Sequence, residues 1–370
     1  MKRNPLRVRT RDVKSFTLVE VLVSLAILLI LMVLMSTMLT QVNKAWKYNK
    51  AKTEENRDAG DAFAALTSRL SQATLNTYWD YLNSSNQSRT VANNTTFVPV
   101  SYTRQAELRF ISGPGLTAVS GANPRPTHAV FFQAPLGYST NSTAEGLENL
   151  LNTWGYYVEY GPDPRSYPSF AVATTGNRFR LMEMMEPSDS LSLYKYTCSS
   201  AYNTNGSPTY TGTNWYTDPL TASPSDAHVL AQNVVALILL PKLSPQEDPS
   251  GLGLAPLYSY NSTTTGQSST TSPNALFDTH NQLPPVVQVS LVSISEESAI
   301  RMGNTGSTAL LTKINTLFSN ATNYTSDLRA PPDGSTNSLE SYLIQNKISY
   351  HIFTTDVAVK AAKWSTSQTN

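Results

Sequence analysis

Lys14-Ser15-Phe16-Thr17-Leu18-Val19-Glu20 runs without a break into Val21-Leu22-Val23-Ser24-Leu25-Ala26-Ile27-Leu28-Leu29-Ile30. A basic leader precedes this stretch, with Lys2, Arg3, Arg7, Arg9, Arg11 and Lys14 against a single acid, Asp12. After it the chain carries no charge from Val21 to Leu39. At about 1.5 Å per residue, a helix of that length covers roughly 28 Å, enough for the hydrocarbon core of a bilayer. A buried core helix is usually shorter and more often interrupted by polar residues. A cleaved secretory signal has a shorter apolar region that ends at a small-residue cleavage site, which Thr40-Gln41-Val42-Asn43-Lys44 does not supply. The stretch therefore predicts a transmembrane helix over 16–40. The excess of Lys and Arg before it predicts a cytoplasmic amino terminus and an exported remainder. Lys44, Lys47, Lys50 and Lys52 weaken that bias without removing it. Glu20 lies just inside the apolar segment, where a lone carboxylate is unfavourable unless something neutralises it.

The same residues, Lys-Ser-Phe-Thr-Leu-Val-Glu ahead of an unbroken apolar helix, resemble the prepilin signature of type IV pilins and type II secretion pseudopilins. The resemblance covers roughly the first tenth of the chain. It implies that residues 1–15 are a leader peptide removed by a prepilin peptidase on the cytoplasmic side, with the cut between Ser15 and Phe16. It also implies that Phe16 becomes the N-methylated first residue and that the apolar segment is kept. The family usually places Gly before the cut, where this chain has Ser15. Glu20 becomes the fifth mature residue, and the resemblance gives it the terminal ammonium of a neighbouring subunit as partner, setting register in a filament. Such a pair is strong where water is scarce. The implied partners are prepilin peptidase, other pilin or pseudopilin subunits met through the amino-terminal helix, and membrane lipid. The implied location is the inner (cytoplasmic) membrane, crossed once, and a filament after assembly. The competing reading is an uncleaved single-pass anchor displaying a binding or adhesive domain.

Composition bounds the remainder. With 370 residues, 40% hydrophobic, and a net charge of +1, the exported part is long enough for one large or two modest domains. Neither sign of charge predominates, so nucleic acid is not indicated as a partner. Charged residues make up only 14%, and the one cysteine, Cys198, cannot form an intramolecular disulfide, so the fold must rest on its core.

Beyond Lys44, an amphipathic extension is predicted over 41–82. Phe63, Leu66, Leu70 and Ala73 share one helical face. An unbroken helix from Phe16 to about Leu75 would be roughly 90 Å long. Gly60 is the expected site of a bend. Residues 83–370 predict a β-rich head. Strand patterns cover Glu107–Ile111, Ala129–Gln133 and Tyr156–Tyr160, and Arg178–Glu183 and Leu191–Tyr196 read as a consecutive strand pair. Val229–Leu240 carries the most apolar strand, Asn233–Leu240, which is expected to be central. Val287, Val289 and Leu291 alternate with polar residues, as in a strand with one buried and one wet face. Polar tracts at 199–226 and 259–274 read as loop insertions. Leu310, Ile314, Leu317 and Phe318 suggest one helix, Leu339–Lys347 a second, and Ser349–Val359 a late strand pair.

A long helix followed by many strands predicts an α+β fold, with the helix on a mainly antiparallel sheet. Val229–Leu237 and Leu283–Leu291 resemble the paired carboxy-terminal strands of J-type minor pseudopilins. Length and layout also resemble the pilin-like Verru_Chthon cassette proteins, type C in particular. This resemblance implies a minor subunit, with a head so bulky that a tip or initiating position suits it better than a repeating lattice.

No catalytic constellation emerges. His128, His228, His280 and His351 are far apart in sequence without metal-ligand spacing, and there is no nucleophile elbow or phosphate-binding glycine loop. No catalytic residue, metal ligand or cofactor is therefore assigned. Asp333–Asn337 and Glu247–Gly251 read as turns rather than calcium loops. Clusters of Tyr and Trp at 154–160 and 210–216 read as half-buried aromatics.

Overall fold

The computed structural model describes residues 17–87, 97–118, 123–144, 146–147, 149–162, 176–197, 212–221, 226–263, 277–331 and 337–365. The leader, Ser15, Phe16, Cys198, most of both polar tracts and the Asp333 loop lie outside them. The chain divides into two units, Met1–Glu54 and Glu55–Asn370.

Helix α1 spans Leu18–Leu70. In the first unit its apolar stretch Leu18–Trp46 has no buried residue. In the second unit the face expected from the sequence is buried, with Ala59, Ala62, Leu66 and Leu70 in the core and Phe63 packed against it. The helix ends at Leu70, short of the expected residue 82. Tyr78–Leu82 instead forms strand β1, antiparallel to β2 (Ser101–Gln105). Its aromatic residues favour a pleated surface, and Asn76, at φ 50, breaks the helical path before it. Gly60 stays within the helix, and what it meets is the ring of Phe353, 3.7 Å from where a Cβ would stand.

Among the described residues the head carries the β1–β2 ribbon and two larger antiparallel sheets, so the α+β arrangement of a long apolar helix followed by antiparallel sheets and short helices is the observed one. The six-stranded sheet has the order β7-β6-β5-β4-β3-β9. Its strands are β3 (Phe110–Pro114), β4 (His128–Pro135), β5 (Leu151–Pro162), β6 (Asn177–Glu186), β7 (Ala227–Gln232) and β9 (Tyr260–Asn261). The three-stranded sheet has the order β11-β10-β8, formed by β8 (Val234–Lys242), β10 (Val286–Ile294) and β11 (Tyr350–Ala358).

Several expectations are corrected by these elements. The strand expected over Asn233–Leu240 is present as β8, but it is not central. Asn233 takes a left-handed φ of 58, a conformation Asn adopts more readily than most residues, and its side chain donates to Glu296 at 2.6 Å; it separates β8 from β7, which belongs to the other sheet. β8 is buried along both faces yet lies at the margin of its sheet, with β10 central. The pairing of this region with the 283–291 strand is present, Leu239 opposite Val289 and Leu237 opposite Leu291. β10 has a wet face only at its start; from Val289 to Ile294 every residue is buried. Leu191–Tyr196 is not a strand: Ser192–Thr197 is helix α2, and β6 pairs with β5 and β7. The first polar tract contains helix α3 (Asn214–Thr221), whose Trp215, Tyr216 and Leu220 enter the core. The second begins with Tyr260 and Ser262, both buried.

After Ile294 the chain forms α4 (Glu296–Ile314), α5 (Tyr324–Leu328) and α6 (Leu339–Gln345). Ser295 and Ser338 cap α4 and α6, each side chain accepting the backbone N–H three residues on. α4 kinks at Gly303, whose φ of 58 a residue with a Cβ would resist. The expected late strand pair is one strand, β11, antiparallel to β10 from Val286↔Ala358 to Ile294↔Tyr350 without a register shift.

Candidate functional site: the start of the apolar helix

Thr17 and Glu20 close the start of α1 on each other. The Thr17 backbone N–H donates to Glu20 Oε2 at 3.1 Å, and its hydroxyl donates to the same oxygen at 3.0 Å. In return, the Glu20 N–H reaches Thr17 Oγ1 at 3.4 Å and Thr17 O at 3.1 Å. This is a capping box: two backbone donors that a helix start leaves unpaired are satisfied reciprocally. The carboxylate also lies at the end of the helix where aligned peptide dipoles favour negative charge. Glu20 stands out in the sequence as a charge in an apolar run, and Thr17 is marked there by the Thr-x-x-Glu spacing ahead of that run.

Beyond the cap, the helix presents an apolar surface on all sides. Leu22, Leu25, Leu28, Leu29 and Ile30 are exposed, as is Met35. Three of the hydroxyls along it turn inward to their own helix: Ser24 donates to Val21 O, Thr37 to Leu34 O and Thr40 to Ser36 O. The segment therefore offers almost no free hydrogen-bonding group to its surroundings, the condition a hydrocarbon medium imposes. Glu20 is the exception, since a carboxylate can accept more bonds than Thr17 supplies.

The head residues weighed for chemistry are dispersed. His128 is buried. Its Nδ1 accepts the Leu239 N–H at 3.0 Å and its Nε2 lies 3.2 Å from Phe318 O, so the pairing fixes the Nε2–H tautomer. Burial holds it neutral, lowering its pKa to about 4. His228 bonds Glu183 at 3.0 Å, with burial and the Arg69 charge both lowering its pKa. His280 lies beside Asn281, and His351 packs edge-on against Phe353. Among the described residues no group of His, Cys, Asp or Glu is arranged to hold a metal ion. Asp248 closes its own turn, accepting from Ser250 and the Gly253 N–H. Trp154, Tyr156, Tyr157 and Tyr160, like Trp215 and Tyr216, are core residues. Within the second unit, Arg69 in the last turn of α1 pairs with the buried Glu183, which also accepts from Tyr156 Oη at 2.7 Å.

Residues 10–36 match the family model of the prokaryotic N-terminal methylation motif. The match spans Ser15, Phe16, Thr17 and Glu20 and runs on into the apolar helix. No curated protein and no solved structure matches the chain. The methylation motif supports a relationship to type IV pilin-like proteins, with a prepilin peptidase and other pilins as the implied kinds of partner. It implies a structural subunit rather than an enzyme, and with the apolar helix it is consistent with a single-pass membrane anchor.

Proposed function

We propose that this protein is a minor pilin or pseudopilin. Its leader is cut between Ser15 and Phe16 by a prepilin peptidase, Phe16 is N-methylated, and the mature chain enters a pilus-like or type II secretion pseudopilus filament through its apolar helix. Until then the chain is held in the cytoplasmic membrane with the head exported. The observation that carries this reading is the continuity of the methylation motif with a helix that is exposed and apolar on every side, interrupted near its start by one carboxylate. In the filament, Glu20 exchanges part of its bonding with Thr17 for the terminal ammonium of a neighbour. The size of the β-rich head supports a tip or initiating position, because a head of this bulk repeated at every lattice site would crowd its neighbours.

Intact-mass and amino-terminal analysis of the membrane-expressed protein, with and without a co-expressed prepilin peptidase, tests the processing step. The expected product begins at methylated Phe16 only when the peptidase is present. A chain that keeps residues 1–15 in its presence would instead favour the uncleaved anchor, a reading that Ser15 in place of the family's usual Gly keeps open.

A further inference from the structure

The sheets of the head end in strands that lack a neighbour on one side, and most of these margins are protected. β8 donates its outward Leu237 and Leu239 N–H groups to Thr127 Oγ1 and His128 Nδ1. β9 is two residues long. β7 pairs with a register shift at Leu181/Met182 and carries the exposed His228. On the β1–β2 ribbon, Asp80 takes the Tyr81 N–H and Asn281 takes the Arg104 carbonyl. These are the usual means by which proteins prevent unwanted strand pairing.

Among the described residues β11 has fewer of them, its polar margin side chains including exposed His351 and Asp356. It is nine residues long, regular in register, without Lys, Pro or Gly, and carries one acid, Asp356. Its hydrogen-bonding parity follows from the bonds at either end: the Ser295 N–H donates to Ser349 O, and the Val359 N–H to Pro285 O. Odd-numbered residues therefore face β10, and Tyr350, Ile352, Thr354, Asp356 and Ala358 point their N–H and C=O groups outward. Thr354, Asp356 and Ala358 are exposed.

We infer that this margin is a strand-pairing interface for a second copy of the chain, joining two three-stranded sheets into one across a two-fold axis at Thr354. The strand is complementary to itself in that register. Thr354 meets Thr354 of the second copy, a pairing that cross-strand side chains favour. Ile352 stands opposite Asp356, and Tyr350 opposite Ala358, so every outward backbone group finds a partner. The two Asp356 carboxylates lie four residues apart along the ladder, about 14 Å, which exceeds the Debye length of about 8 Å at physiological ionic strength. The like charges brought nearest are Lys347 of one copy and Lys360 of the other, both exposed at the ends, so added salt favours association. An isologous contact needs only this one surface.

The test uses the unprocessed full-length chain in detergent with Cys198→Ser as background, so it is independent of cleavage at Phe16. Light scattering coupled to size exclusion should give a protein mass that rises to that of a dimer with concentration. Asp356→Pro removes an outward N–H together with the exposed carboxylate, a substitution that a strand margin tolerates, and should weaken dimerisation at least tenfold while leaving the head folded by circular dichroism, whereas Asp356→Asn, which keeps the N–H, should leave dimerisation within about threefold. Thr354→Cys should form an intermolecular disulfide under mild oxidation, because directly opposed residues in such a pair have Cα atoms about 5.5 Å apart. Thr355→Cys, whose counterpart lies two residues off, should do so at least tenfold more slowly. A monomer at the highest concentration, a dimer that survives Asp356→Pro, or equal cross-linking at the two positions would each overturn the inference.

Discussion

One helix lives under two regimes. From Leu18 to Trp46 none of its residues is buried, and leucine, isoleucine, valine and methionine face outward on all sides. From Glu55 to Leu70 the same helix follows the rule of a soluble protein, with Ala59, Ala62, Leu66 and Leu70 against the core and Arg57 and Asp61 paired on the outside. The difference lies in what each part is built to meet. The second part has its apolar partner within its own chain. The first needs a medium or a neighbour that is apolar in every direction, and lipid or the helices of other subunits supply that.

The sharpest way to break this comparison is to truncate a leucine in each part. Leu66→Ala or Leu70→Ala removes a fully buried side chain and should destabilise the head by about 2–5 kcal/mol. Leu28→Ala should leave the unfolding of the head unchanged. Denaturant titration of the detergent-solubilised chain, followed by tryptophan fluorescence, reads both. An equal loss at Leu28 would contradict the division.

The next effect concerns how the second part is fastened. Arg69 stacks over Trp154 and pairs with Glu183, a carboxylate otherwise held by Tyr156 and His228. Arg69→Met keeps much of the packing but leaves a buried carboxylate short of its cation, with an expected cost on the order of 3 kcal/mol. Arg57→Met, at an exposed pair, should cost less than about 1 kcal/mol.

A third effect belongs to the head alone. Because His128 titrates near 4 in the fold and near 6.5 when unfolded, the unfolded chain takes up a proton first as pH falls. Its contribution is complete above about pH 6.5 and is lost progressively toward pH 4, on the order of 3 kcal/mol in total. His228 and His280 are shifted in the same direction, so the signature is a shallower acid limb in His128→Gln than in the wild type. Parallel limbs would remove His128 from this role.

The smallest effect is a gain. An alanine Cβ at Gly60 would meet Phe353 at ordinary contact distance, so Gly60→Ala should stabilise the second part by about 0.5–1 kcal/mol. A loss of stability there would indicate a bend that the helix does not show.

Much of this contrast was legible in the residues. The charge-free run from Val21 to Leu39, the Phe63–Leu66–Leu70–Ala73 face and the strands around Ala129, Tyr156 and Arg178 follow directly from hydrophobic period. Three features were hidden for physical reasons. Asn233–Leu240 reads as central because it is apolar on both faces, and apolarity does not tell a strand covered by another sheet from one with neighbours on both sides. Leu191–Tyr196 alternates like a strand over too few residues to distinguish it from the helix that buries Leu193. Trp215, Tyr216 and Leu220 lie in a tract whose polar average conceals a short amphipathic helix. At the site itself Glu20 was visible as a misplaced charge, and its bond to Thr17 was signalled by Thr-x-x-Glu ahead of the apolar run.

We propose the exposed part of α1 as an assembly element and Glu20 as its registering group. The most direct measurement compares wild type and Glu20→Ala in a strain that assembles the filament, quantifying the Phe16-started protein in membrane and sheared-filament fractions. The variant should be processed to near the wild-type extent and remain in the membrane, with filament incorporation reduced at least tenfold. Processed Glu20→Ala protein appearing in filaments at the wild-type level would contradict this role.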